Sequence, residues 1–319
     1  MNKTDLIYVS GHTGLLGDAI IRTLEENGYT NLVVAKHSEV DLINQQAVSG
    51  FFARTKPQYV FHCAAKIGGI TSTSQYHADY LYENLMIAVN VIKAAHGYNV
   101  KKMIIPGSVC TFPKDCPVPI KEEYACTGAF EPTCEGYAVA KMTAYMTVKH
   151  FNHQYGTEFL TSNLCNLYGL KDCWDISRNH VIPALIERFH KAKIHRDQKI
   201  LIRGTGNAYR EFLYADDAAD GMLRLMLADT KGIDSVNLGL SSSTTTTITT
   251  TAIHQLVDLI KKIVGFEGSV VYEGKADQDG NSVRSFDGTR LNSIIDWKPK
   301  VGLEEGLKRV YECYQQAQT

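Results

Sequence analysis

No apolar run in the 319-residue chain approaches the ~18 residues that a membrane-spanning helix needs. The first residues, Met1 to Asp5, are too polar to open a signal peptide. Neither sign of charge dominates. Thirty-three Lys and Arg face 34 Asp and Glu, a formal net charge of −1, so bulk charge draws the chain to neither nucleic acid nor an anionic membrane. Eight cysteines run from Cys63 to Cys313 without one CxxC spacing. Cys110, Cys116, Cys126 and Cys134 fall close together, but no matching His or Cys set offers a zinc site. Reduced thiols in a cytoplasmic protein are the simplest reading. The chain also lacks an internal repeat.

What is present is alternation. Strand-like runs at Leu6–Ser10, Asn31–Ala35, Tyr59–Ala65 and Lys102–Ser108 are separated by helical patterns, including Asp18–Tyr29, Gln45–Arg54 and Leu81–His96. Glu158–Gly169 reads as one further buried strand. This pitch predicts an α/β fold: a Rossmann-like, doubly wound parallel sheet with a smaller C-terminal α/β substrate lobe. Residues 1–172 are assigned to the sheet domain and 173–319 mainly to the smaller lobe, with a segment near 205–240 returning to the first. The run Ser241–Thr251 looks low in complexity and reads as strand or turn leading into a helix.

Gly11, Gly14 and Gly17 in "SGHTGLLGD" follow the first strand and open the first helix. Glycines there allow a tight turn and close approach of a pyrophosphate to the free N–H groups of a helix start. The spacing is GxxGxxG rather than GxGxxG, and by itself such a pattern can mark only a turn. Its place after a strand at the chain start makes it a dinucleotide site. At the end of the second strand stand Lys36 and His37, with no acid until Glu39. An acid there would suit NAD; a basic end suits the extra phosphate of NADP.

Tyr-x-x-x-Lys occurs three times: Tyr98 with Lys102, Tyr137 with Lys141, and Tyr145 with Lys149. The first pair spans a helix end and a strand start. The other two share one helix, ~12 Å apart along its axis, so only one pair can serve a given nicotinamide. Tyr137 and Lys141 come shortly after Ser108, which ends the fourth strand at the edge where cofactor chemistry takes place in such sheets. Lys141 is expected to lower the Tyr137 pKa, and Ala138 and Ala140 to let a cofactor approach. Tyr145 and Lys149 read as a packed helix face or a subunit contact. Cys110 alone reads equally as a small core residue, and His180 in "RNHVIP" alone is a weak signal.

These features resemble the extended short-chain dehydrogenase/reductases. More specifically, "GHTGLLG", "AAKIGGI", "GSVCTFPK", "EPTCEGYAVAK", "NLYG", "NHVIPALIERFH" and "GTGNAYREFLYADD" resemble the GDP-L-fucose synthase family of 3,5-epimerase-4-reductases. The resemblance covers nearly the whole chain. It implies a homodimer that uses NADPH on a GDP-linked 4-keto sugar. It makes Ser108, Tyr137 and Lys141 the reductase triad, and Cys110 and His180 the pair that exchanges protons at carbons 3 and 5. It implies cofactor contacts from Gly11, Thr13, Gly14, Leu15, Leu16 and Gly17, from Lys36, His37, Asp41 and Leu42, and from Ala64, Ala65, Lys66, Tyr137, Lys141, Asn166 and His180. Substrate contacts fall to Ser108, Val109, Cys110, Asn166, His180, Arg188, Arg203, Arg210 and Arg284. Guanidinium groups suit a diphosphate, although Arg188 alone would read as a surface ion pair.

The chain departs from the family at several points. Thr13 and His37 stand where the family usually has arginines that help to select the NADP phosphate. Arg203 replaces a common Trp near the nucleotide, and "ADQDGNSVRSFDGTRL" differs from the usual run. These changes leave room for another GDP-4-keto sugar, such as a heptose or dideoxyhexose derivative, or for loss of one of the two activities. A UDP- or dTDP-sugar 4-epimerase and a non-catalytic NADP sensor are the more distant rivals. The Cys–His pair weighs against the first, and the intact triad against the second.

Overall fold

The computed structural model describes residues 1–175, 179–240, 250–274 and 281–318. The sheet domain runs β1 (Ile7–Ser10), α1 (Leu15–Glu26), β2 (Leu32–Val33), α2 (Gln45–Thr55), β3 (Tyr59–His62), α3 (Ile70–Gln75), α4 (His77–Gly97), β4 (Lys102–Ser108), α5 (Glu135–Tyr155) and β5 (Phe159–Leu164). The chain continues through β6 (Asn166–Tyr168), α6 (Val181–His195), β7 (Lys199–Arg203), β8 (Tyr209–Arg210) and β9 (Phe212–Tyr214). It returns to the sheet as α7 (Ala215–Leu227) and β10 (Ser235–Leu238), and ends with β11 (Thr251–Ala252), α8 (Ile253–Val264), β12 (Ser269–Glu273), β13 (Val283–Arg284), α9 (Thr289–Ile294) and α10 (Leu303–Gln318).

Six strands form one parallel sheet in the order β10-β5-β4-β3-β1-β2. Side chains of a strand alternate between faces, and here both faces are covered. Ile7, Val9, Phe61 and Ile104 pack with α1 and α7, while Tyr8, Val60, Met103 and Ile105 pack with α2, α4 and α5. That two-sided burial is why these strands read as unbroken apolar runs. The strand order reverses between β1 and β3, so the loops after those strands flank a crevice at the carboxyl edge.

Several boundaries differ from the sequence pattern. The second strand is only Leu32–Val33, and Val34 is already exposed. The third stops at His62, because Cys63 to Ala65 turn over the crevice. The expected strand Glu158–Gly169 is two strands in different sheets. β5 lies in the main sheet, whereas β6 pairs with β9. Of the low-complexity run, residues 241–249 lie outside the described residues, and Thr251 begins β11 just before α8.

A second core gathers Ile182, Ile186 and Phe189 of α6, Ile200 and Ile202 of β7, Leu256 and Ile260 of α8, and Leu307 and Val310 of α10. β7 and β12 pair in parallel there, and β8 joins β11 and β13. Phe286, Leu291, Ile295 and Trp297 belong instead to the core of the large sheet. Buried polar groups fix these returns. Asn237 of β10 bonds Asn163 of β5 at 3.0 Å and Ile120 O at 2.9 Å, and its N–H donates to Glu122 at 2.8 Å. Glu211, fully buried, accepts from the N–H groups of Leu240 and Phe286, each at 3.2 Å.

The glycine turn is the tightest backbone contact in the sheet domain. Gly11 has φ +67°, and a Cβ there would lie 2.7 Å from Ala64 N. A Cβ on Gly17 would meet Gly11 O at 2.1 Å. Gly17→Ala is therefore expected to lower stability by about 1–3 kcal/mol through backbone overpacking and to weaken dinucleotide binding. Urea unfolding and cofactor titration measure the two effects.

Candidate active site

A single cleft of about 2460 Å³ runs along the carboxyl edge of the sheet and between the two cores. Gly11, Thr13, Gly14, Leu15, Leu16 and Gly17 line one end, with Lys36, His37, Asp41 and Leu42 beside them. Ala64, Ala65 and Lys66 follow, then Ser108, Val109, Cys110, Tyr137, Lys141, Asn166 and His180. Arg188, Arg203, Arg210 and Arg284 line the other side. The catalytic, cofactor and substrate residues that the resemblance implies thus all line the same space.

The glycine end fits a dinucleotide. Gly14 is the N-cap of α1 and provides no side-chain cap, which leaves first-turn N–H groups free for an anion. Close packing of Gly17 on Gly11 leaves no side chain in the way. Beyond β2, Lys36 and His37 are exposed, and His37 lies 3.9 Å from Asp41. Lys66 is already engaged: its ammonium pairs with Glu83 and lies 3.8 Å from Asp79, while Asn84 bonds its backbone N–H and C=O.

At the reacting end, β4 delivers Ser108 to the edge. A one-turn helix, Val109–Thr111, then carries Cys110, whose N–H donates to Ser108 Oγ at 3.2 Å. Tyr137 lies in the first turn of α5, and Lys141 one turn later on the same face. Lys141 is buried. Its Nζ donates to Pro106 O at 2.9 Å and lies 5.8 Å from the Tyr137 ring centroid. Burial pushes the Lys141 pKa down to about 8.

The expected lowering of the Tyr137 pKa is not what the structure gives. Burial, then the charge of Cys110, drive it upward, and only the Ser108 hydroxyl pulls the other way. Tyr137 is a protonated acid here, ready to donate. Ala138 and Ala140, expected to make room for cofactor, are instead fully buried on the protein side of α5. A helix turns ~100° per residue, so the face shared by positions 137 and 141 excludes them.

The Cys110 pKa is lowered from its ordinary value, first by the neighbouring Cys134, then by Ser108 and Arg284, against burial. His180 is the N-cap of α6, and burial lowers its pKa, which favours the neutral imidazole. An ionisable thiol and a neutral imidazole are a competent proton-exchanging set.

The remaining Tyr-x-x-x-Lys pairs do not line the cleft. Tyr98 bonds Ser49 at 3.1 Å, and Lys102 bonds Ala228 O at 2.6 Å and Glu158 at 3.0 Å, at the opposite end of β4. Tyr145 and Lys149 lie outside the cleft, and Lys149 is exposed. Arg284 was expected at a diphosphate. It is buried at the Cys110 end, donating to Pro113 O at 3.0 Å. Arg210 is held by the carbonyls of Tyr209 and Asn281 at 2.8 and 2.7 Å, and Asn166 by Glu211 O at 2.9 Å.

Two cleft residues had no distinguishing sequence signal: Cys134, inside a cysteine-rich stretch, and Asp172, one of many acids. Asp172 is buried in the wall, and its Oδ2 has no partner among the described residues. Burial raises its pKa from 3.8 to about 7.

A parallel sheet with a glycine turn, a Ser-Tyr-Lys set and a second lobe closing one cleft defines a dinucleotide-dependent enzyme of the extended short-chain dehydrogenase/reductase class. A sequence model of the NAD dependent epimerase/dehydratase family matches residues 7–239, and the chain belongs to that family. It is 40% identical to GDP-L-fucose synthase 1 of Arabidopsis thaliana, across 98% of this chain and 94% of the relative. Two solved structures from Campylobacter jejuni each match over 99% of both chains. They are a GDP-6-OMe-4-keto-L-xylo-heptose reductase (33% identity, TM-score 0.91) and a GDP-mannoheptose C4 reductase with NADP bound (34%, 0.87). The protein is a GDP-L-fucose synthase-like oxidoreductase/epimerase of the GDP-sugar epimerase/reductase group.

Asp172 generates a pH prediction. Its folded pKa lies above the unfolded value of 3.8. The folded state therefore binds the extra proton, and the stability this gives is lost as pH rises through about 7. Asp172→Asn keeps Oδ1 for the Cys173 N–H (2.9 Å) and removes the buried charge. The variant is expected to be more stable than the parent at pH 8 and nearly equal at pH 4, as measured by urea midpoints.

Proposed function

We propose that the enzyme uses NADPH to epimerise a GDP-4-keto-6-deoxy sugar at carbons 3 and 5 and to reduce it at carbon 4, forming GDP-L-fucose, and that it works as a cytoplasmic homodimer. The observation that carries this reading is the placement of Ser108, Tyr137, Lys141, Cys110 and His180 along one cleft.

A ketone at carbon 4 acidifies the C–H bonds on both sides of it. Cys110 as thiolate takes a proton from one face, and His180 exchanges one from the other, so each centre inverts through an enolate. Ser108 and Tyr137 donate hydrogen bonds to the enolate oxygen, where the charge develops. The bound cofactor supplies hydride to carbon 4. Tyr137 then gives its proton to the carbonyl oxygen, a role that its upward-shifted pKa favours. The buried Lys141 ammonium stabilises the tyrosinate left behind. Lys36 and His37 meet the cofactor's extra phosphate, and Arg188 and Arg203 meet the GDP end. For the dimer, Val139, Met142, Met146 and Phe151 line a shallow apolar cavity of about 400 Å³ on the far side of α5.

A second reading keeps the chemistry and changes the sugar to a GDP-4-keto heptose. The TM-score of 0.91 with a heptose reductase favours it.

NADPH oxidation against a panel of GDP-4-keto sugars, with products identified by NMR, separates the two. Faster turnover of a heptose than of the 6-deoxyhexose would overturn the first. In deuterated solvent, Cys110→Ser and His180→Asn are expected to slow label entry at carbons 3 and 5 more than hydride transfer to an already epimerised sugar. Equal loss of both steps would mean that the two residues have no separate role. Tyr137→Phe should cut NADPH oxidation by about 10²–10⁴-fold, whereas Tyr145→Phe should leave it largely intact.

A further inference from the structure

Outside the cleft, one group of side chains carries chemistry that the proposed reaction does not use. Three sulfurs meet where the chain leaving the single turn Glu122–Tyr124 crosses α5. Cys126 Sγ lies 3.0 Å from Met142 Sδ and 4.0 Å from Met146 Sδ. The two methionines stand four positions apart, so their side chains share one face of the helix. Both line the shallow apolar cavity of α5, as does His150 one turn further on. Met142 is buried, Met146 half-buried and Cys126 exposed. The group is therefore open to a small solute on its Cys126 side.

The backbone holds the thiol in place. Cys126 has φ +64°, in the left-handed region that L side chains enter at a cost. The hydroxyl and the N–H of Thr127 both donate to Tyr124 O, at 2.8 and 3.4 Å, and close the bend around Cys126.

A hydrogen bond accounts for only part of this arrangement. One S–H donates to one acceptor, and Met142 supplies it. Leucine would fill either methionine position with nearly the same volume, whereas a thioether adds a polarisable lone pair. Thiolate and thioether donors together select soft cations. Zinc draws on Cys, His, Asp and Glu, and no group of three of these able to hold a metal occurs among the described residues. With metal–sulfur bonds of about 2.3 Å, three ligands in one plane stand about 4 Å apart. Met146 already has that separation from Cys126. Met142 reaches it by rotation about its unbranched side chain.

We propose that Cys126, Met142 and Met146 form a surface site for a soft monovalent cation of the copper(I) type. On binding, the Cys126 thiol releases its proton to water and the thiolate and both thioethers bond to the metal, with no electron transferred. The thiolate neutralises the cation, so no net charge is placed against the apolar cavity. The site is complete within one chain and independent of the sugar turned over.

The test uses the full-length enzyme, metal-free and anaerobic, with one equivalent of copper(I) added as its acetonitrile complex. Iodoacetamide alkylation is followed at each cysteine by peptide mass. Copper is expected to slow labelling of Cys126 by roughly 10-fold or more, before any other cysteine is protected, because a metal-held sulfur is no longer a free nucleophile. One equivalent of zinc(II) should leave Cys126 labelling unchanged. Met142→Leu and Met146→Leu keep the side-chain volume and remove the thioethers. Protection should weaken in each variant and vanish in the pair; Met146, half-buried, gives the replacement least able to disturb the fold. Unchanged labelling of Cys126 with copper, or equal protection by zinc, overturns the proposal. Full protection that persists in the double variant also overturns it, since a lone thiol would then be the ligand.

Discussion

One buried charge organises the reacting end. The Lys141 ammonium, cut off from water, donates to Pro106 O and so ties α5 across the end of β4. An isolated interior ammonium is costly, and the pKa near 8 records that cost. The tie places Tyr137, one turn earlier, beside Ser108. The same charge, after burial itself, presses the His62 pKa down to about 3 and restrains the upward shift of Cys63. His62, held neutral, shares a 2.7 Å hydrogen bond with Ser10, and the Ser10 hydroxyl accepts from Ala64 N at 3.2 Å. Ala64 is the backbone on which Gly11 packs. The dinucleotide turn and the acid–base set are thus parts of one connected polar seam through the middle of the sheet.

Much of this was legible in the chain because it rests on local rules. Unbroken apolar runs marked β1, β3 and β4, since two-sided burial removes any need for polar alternation. The glycines marked the turn, and the distance from Ser108 selected Tyr137 over Tyr145. Less could be read where distant segments decide. β2 is short because the chain leaves the sheet at Val34, and Ala35 lines the crevice. The run from Glu158 to Gly169 divides because Phe212–Tyr214, far along the chain, captures its second half. Sequence spacing places Lys141 near Tyr137, but it does not say that burial and the charge of Cys110 raise the tyrosine pKa.

The arginines of the cleft are held unequally. Arg284 and Arg210 are anchored by main-chain carbonyls, whereas Arg188 and Arg203 are exposed in the cleft wall. Immobilised cations set a fixed field, while mobile ones adapt to the ligand at an entropic cost.

The path of the chain between the two cores limits how such an enzyme can change. The chain leaves the sheet at Cys165, comes back through α7 and β10, leaves again, returns at Phe286 to Trp297, and ends in α10 of the smaller lobe. The smaller lobe is not a contiguous stretch of sequence. A recombination event that replaced everything after β5 would also remove β10, an edge strand of the main sheet, together with the Asn163–Asn237 bond that secures it. A lobe taken from elsewhere would have to bring that edge strand and a partner for Asn163 with it, whereas point replacements in the cleft wall leave both cores intact.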